Sequence, residues 1–104
     1  MLFHIADRTR WEASLADGSY TQSTRGMELD AVGFIHLASQ TQVSGVLDRF
    51  YEGVDDLVLL HIDESRLTAR VMFEPAPGTD ELFPHLYGPL DTDAVVAVTT
   101  IRGA

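Results

Sequence analysis

Imidazoles at His4, His36, His61 and His85 are the side chains of this sequence best suited to acid–base or binding chemistry near neutral pH. No two of them lie within twenty residues of each other. The short ligand spacing of a zinc-binding helix or finger is therefore missing, and no metal is expected. His61, on an apolar run before Asp63, reads as structural or surface. His36 sits between Ile35 and Leu37 with Phe34 and Ala38 on its own face of a strand. A ring placed there either finds a hydrogen-bond partner, since burying it unpaired costs about 1–3 kcal/mol, or lines a cleft and grips a substrate hydroxyl. The same strand runs into Ser39, before a helix, where a hydroxyl and free backbone N–H groups can meet an anion.

His85 lies in Phe83-Pro84-His85-Leu86-Tyr87-Gly88. Two aromatics flanking a histidine suit a planar ligand, stacked on one face and hydrogen-bonded at its edge, and equally suit a hydrophobic plug. Arg25 follows two hydroxyls and precedes a glycine, in Ser23-Thr24-Arg25-Gly26. That is good chemistry for a phosphate or carboxylate, or else a solvated surface arginine. Glu74, on the Met72 face of its strand, can serve as a general base, as a stabiliser of a cationic centre, or as a salt-bridge partner of Arg70 or Arg25.

The elements that must position these groups follow from pattern. A short strand over 2–5 is followed by Thr9-Arg10-Trp11-Glu12, which matches a capping box and predicts a helix stopping near Gly18. The polar, aperiodic stretch 19–31 reads as a long functional loop. Strands are predicted over 33–38, 57–62, 70–74 and 94–101, with the break Pro75-Ala76-Pro77-Gly78 after the third. A helix over 41–51 carries Val43, Val46, Leu47 and Phe50 at helical spacing and stops before Gly53. The segment 82–89, with two prolines and a glycine, reads as a shaped loop. The strands at 33–38 and 57–62 flank the longer helix as a crossover pair, whereas the later strands look antiparallel. The expected class is α+β, in a single domain over 1–104.

Composition narrows the function classes. No cysteine is present, so disulfides, iron–sulfur clusters and thiol nucleophiles are excluded. All seven basic residues are arginine, which excludes Schiff-base and P-loop lysine chemistry. Sixteen acidic residues leave a net charge of −9, which disfavours duplex nucleic acid and anionic membranes as partners. No basic-then-apolar leader opens the chain, and the longest apolar run, 57–60, is far short of the ~20 residues of a membrane helix. The default address is cytoplasmic.

Gly33-Phe34-Ile35-His36-Leu37, the run 57–60 with Ile62-Asp63, Phe73-Glu74 and the His85 motif occur in an order and spacing that resemble the small bacterial family known as domain of unknown function 952, with Trp11 after an initial strand. The chain departs from that pattern at Val32, where members often carry Asp or Glu, and at Ala38, where a serine is usual and here comes one residue later, at Ser39. The family is similar in fold to ADP-ribosyltransferases, a split, mostly antiparallel sheet with NAD in a central cleft. The resemblance implies cleavage of the nicotinamide–ribose bond of NAD, through positive charge at the anomeric carbon. It further implies His36, His85 and Glu74 as catalytic groups, His4 or His36 on the ribose, Arg25 on the pyrophosphate with Ser23, Thr24 and Ser39 nearby, and Tyr87 on the nicotinamide. NAD would be a substrate and not a resident cofactor. The rival expectation is a module that binds a small metabolite or a partner protein and turns nothing over.

Overall fold

The computed structural model describes residues 1–76 and 78–103. Strand β1 (Leu2–Asp7) runs directly into helix α1 (Arg8–Asp17), and the short strands β2 (Ser19–Tyr20), β3 (Gln22–Thr24) and β4 (Met27–Glu28) follow. Then come α2 (Leu29–Val32), β5 (Ile35–His36), α3 (Val43–Phe50), β6 (Leu57–Ile62), β7 (Arg70–Pro75), β8 (Leu82–Tyr87), β9 (Leu90–Asp91) and β10 (Val95–Arg102). Two three-stranded sheets dominate, ordered β1-β6-β10 and β5-β8-β7. They meet at one bridge, where Phe3 and Ala38 exchange backbone hydrogen bonds of 2.8 Å in both directions. The chain is a mixed α+β domain, and every strand pairing among the described residues is antiparallel. No helix among them is long and apolar enough to cross a membrane.

Several sequence expectations are corrected here. The strands at 33–38 and 57–62 are not a crossover pair: β5 and β6 belong to different sheets. Helix α1 begins at Arg8, one residue before Thr9, with Asp7 at the N-cap position but without a side-chain cap, the Asp7 carboxylate accepting from Arg25 instead. The segment 19–31 is not a plain loop: it contains β2 and the β3–β4 hairpin, turned through Gly26 at φ 77°, and runs into the short α2. Segment 82–89 is not a loop but chiefly β8, the central strand of its sheet, with Pro84 inside it. Pro84 accepts from the Leu37 N–H at 3.0 Å but has no N–H to return. That half-made pair is where β5 ends, at His36, two residues before its expected end. Strand β7 ends at Pro75; Pro77 of the expected break lies outside the described residues.

The core is made of two clusters, each drawing on both sheets. Trp11, Tyr20, Ile35, Leu60, Leu86 and Leu90 form one cluster, and Ile5, Val46, Tyr51, Leu57 and Phe83 form a second. Alternation then fixes the other face of the β5-β8-β7 sheet. Ile35 and Leu86 point into the core, so His36 and its cross-strand partner His85 share the sheet's other face, where His85 is nevertheless buried. Strand β7 adds Met72 opposite His85 and Arg70 opposite Tyr87.

Gly88 closes β8 at φ 158°, where an added Cβ would stand 2.7 Å from that of Ala69. Gly88→Ala is expected to lower stability by about 1–3 kcal/mol, the usual range for overpacking. Urea unfolding of the single variant and of Gly88→Ala with Ala69→Gly checks this, since removing the opposing methyl should restore only the part of the loss owed to the clash and leave the backbone strain at position 88.

Candidate functional site

His36 and His85 sit side by side on the outward face, with ring centroids 5.6 Å apart. Both line a cleft of about 260 Å³ walled by Met27, Val32, Phe34 and Phe50, with Ser23, Thr24 and Arg49 as its remaining polar groups. Each wall has a local cause. The β3–β4 hairpin delivers Ser23, Thr24 and Met27, α2 delivers Val32, and the last turn of α3 delivers Arg49 and Phe50. Phe50, expected to face the core, is 52% exposed and presents its edge to His36 at 6.4 Å.

His85 is the more firmly held ring. Phe34 stacks on it at 3.9 Å with only 16° between the planes. Its Nδ1 lies 2.9 Å from Glu74 Oε1, and the Tyr87 hydroxyl donates to the same oxygen. These bonds, Tyr87 first and His85 second, hold the Glu74 carboxyl below its ordinary range, and the carboxylate in turn raises the Tyr87 phenol. An ionised carboxylate only accepts, so Nδ1 of His85 carries the proton and the neutral ring keeps its lone pair on Nε2. Glu74 therefore orients an imidazole, as the acid member of a catalytic triad does. Glu74 and Tyr87 themselves line an adjoining hollow of about 350 Å³ with Arg70 and Met72.

His36 is the opposite case, clamped by its backbone. Its N–H donates to Ser23 Oγ at 3.2 Å, and its carbonyl accepts from His4 Nδ1 at 2.7 Å. The ring itself has a buried Nε2 with no hydrogen-bond partner among the described residues. Burial first, then the nearby His85 and the Arg49 guanidinium, push its pKa down to about 4, so the ring is neutral at pH 7.

The other residues singled out from sequence lie elsewhere. His4 is buried in the core behind His36, with Nε2 3.1 Å from the Tyr20 hydroxyl. Since Nδ1 must donate to a carbonyl, neutral His4 accepts at Nε2, and burial lowers its pKa to about 4. Arg25 points away from the histidines and pairs with Asp7 at 2.9 Å. It borders a more open groove of about 540 Å³ with Asp7, Arg10, Asp55 and Asp56, where Arg10 pairs with Glu28. Ser39 is occupied at the start of the α3 segment, its N–H donating to Gln42 Oε1 at 3.0 Å and its hydroxyl beside that of Thr41 at 3.4 Å. Tyr87 is beside the cleft and not within it, committed to Glu74. His61 bonds Thr99 at 3.0 Å on the other sheet. No group of histidine and carboxylate side chains among the described residues has metal-holding geometry. Sequence reasoning missed Arg49, Phe50 and Met27. Only the position of Arg49 and Phe50 in the final turn of an amphipathic helix hinted at their availability.

Comparison with known proteins agrees with this architecture. Residues 5–98 match the family described as "Protein of unknown function (DUF952)". The crystal structure of protein CC0527 from Caulobacter crescentus is similar, at 31% identity and a TM-score of 0.81 over 94% of this chain and 82% of that one. Its solution NMR structure gives 30% and 0.78 over 97% and 84%. No curated protein matches.

Proposed function

This chain belongs to the DUF952 family, and we propose that its histidine cleft binds NAD or a related nucleotide and transfers or hydrolyses the ADP-ribosyl group. One observation carries the reading: two imidazoles share one apolar cleft, and one of them, His36, has a buried Nε2 with no hydrogen-bond partner among the described residues. The cleft's 260 Å³ falls just below the usual range for whole small-molecule sites. It suits the ring-and-sugar end of a dinucleotide, with the rest along the adjoining hollow. Phe34 and Phe50 offer faces for a planar base, and His36 offers a neutral ring for a ribose hydroxyl.

The acid–base step would fall to His85. Water forms a bond to the ribose anomeric carbon as the bond to nicotinamide breaks. The leaving nitrogen takes the electron pair, and the water proton passes to Nε2 of His85. In this scheme Glu74 is a positioning residue that fixes the His85 tautomer and balances the imidazolium. The likeness to ADP-ribosyltransferase folds is supported by the division of the strands into two antiparallel sheets joined at one bridge.

Thermal unfolding with NAD, ADP-ribose and 2′-phosphorylated nucleotides, on the wild type and on His36→Ala, tests the binding. At 100-fold excess over Kd a ligand stabilises by about 2.7 kcal/mol, a midpoint rise on the order of ten degrees for a chain of this size. The rise should be lost in His36→Ala. Binding without release of nicotinamide would reduce the function to a nucleotide-binding module, and no shift with any nucleotide would sink the proposal.

A further inference from the structure

The seven arginines are not distributed evenly with respect to their partners. Arg8 pairs with Asp56, Arg10 with Glu28, Arg25 with Asp7 and Arg66 with Asp63. Arg102 donates to the backbone carbonyls of Tyr51 and Val54. Arg49 and Arg70 alone make no salt bridge or side-chain hydrogen bond among the described residues. Both stand on the histidine face, Arg49 lining the cleft and Arg70 lining the hollow beside Glu74 and Tyr87.

In a chain of net charge −9 this placement is informative. Acidic side chains are abundant enough to neutralise any exposed guanidinium, yet none reaches these two. Arg49 has a local reason to sit in the last turn of α3, where the helix dipole favours a cation. Its guanidinium nevertheless lies back over Gly45, 3.7 Å from where a Cβ would be, and borders the cleft. Arg70 is exposed, and its charge helps to hold Glu74 ionised without contacting it within salt-bridge distance. The Glu74–His85 pair, one member lining the hollow and the other the cleft, links the two cations.

We propose that Arg49 and Arg70 hold the anionic groups of the ligand of this face, which is a phosphate or diphosphate ester extending from the cleft into the hollow. The inference rests on the nucleotide reading above and deepens it. It moves the phosphate-gripping role expected of Arg25 to two guanidinia that are available for it. Arginine suits that role because its planar fork can meet two phosphate oxygens at once.

Calorimetric titration of the full chain at low salt with ADP-ribose, inorganic pyrophosphate and adenosine tests it, using the wild type, Arg49→Gln, Arg70→Gln and Arg25→Gln. All three substitutions are at exposed side chains, and circular dichroism checks that each variant is folded. Each of Arg49→Gln and Arg70→Gln should weaken ADP-ribose by about tenfold or more, and Arg25→Gln should leave it within about twofold. Wild-type binding should fall as salt is raised. A loss confined to one of the two arginines overturns the two-point grip, as does an equal loss in Arg25→Gln. Adenosine binding as tightly as ADP-ribose overturns the anion assignment while leaving a nucleoside site. Pyrophosphate binding with no preference for the nucleotide keeps the anion assignment and overturns the nucleotide. Absence of binding by all three overturns both.

Discussion

His4→Ala is expected to destabilise the folded chain by about 3–5 kcal/mol, against the roughly 5–15 kcal/mol that holds a domain of this kind together. His4 is only 3% exposed, and its removal opens a hole in β1 beneath the His36 strand. Large-to-small changes at such sites cost about 2–5 kcal/mol. The change also leaves the His36 carbonyl and the buried Tyr20 hydroxyl without their partner, and each unsatisfied group costs about 1–3 kcal/mol unless water enters. Urea unfolding at pH 7 measures the loss. His4→Asn, whose side-chain amide can donate near the Nδ1 position, should recover part of it. A loss below about 1 kcal/mol in His4→Ala would mean that the two hydrogen bonds carry nothing and that His36 is placed by other means.

That expectation marks where the sequence was informative and where it was not. The side of the strand carrying His36 was legible because period-two alternation needs only local residue order, and Phe34 fell on that side by the same rule; His85 and Tyr87 lay in a segment that reads as a loop, and only the pairing of β8 with β5 and β7 puts them there. Among the long elements, β1, α3, β6, β7 and β10 contain enough apolar residues at strand or helix spacing to announce themselves, whereas α1, mostly polar, was marked chiefly by Gly18 at its end. Partnership across the chain was not legible. Arg25 sits among hydroxyls and looks like an anion site, but Asp7, 18 residues earlier, neutralises it. His4 looked like a second cleft histidine, yet the pairing of β1 with β6 buries it behind the site. Pro84 looked like a loop residue because its missing N–H normally breaks a central strand. Here its neighbour β5 stops at the place where that N–H would have been needed.

Acid is expected to weaken the fold from pH 6.5 downward, and His36→Leu is expected to be more stable than the wild type, increasingly so as the pH falls. His4 and His36 both drop from the ordinary 6.5 to about 4 in the folded chain, chiefly through burial. Between those values the unfolded chain takes up protons that the folded chain refuses. Stability is therefore full above pH 6.5 and declines as the pH falls toward 4, by up to about 1.4 kcal/mol per pH unit for each ring. The two rings feel each other's charge, so their losses do not simply add. The lowered carboxyls of Glu74 and Asp63 stabilise the fold above the ordinary carboxyl range, and that contribution is lost only as the pH falls through and below it, from the bottom of this window downward. Leucine at position 36 removes one of the two titrations and replaces an imidazole whose Nε2 is buried without a partner. Relief of that group alone is worth about 1 kcal/mol at pH 7, and the gain should grow toward pH 5. Such a gain fits an imidazole kept in the cleft for what it binds and not for the fold. Urea unfolding of both proteins at pH 7, 6 and 5 decides the matter: if His36→Leu is the less stable protein and its pH dependence is as steep as the wild type's, the imidazole is a structural member of the sheet and the cleft loses its reason to be a site.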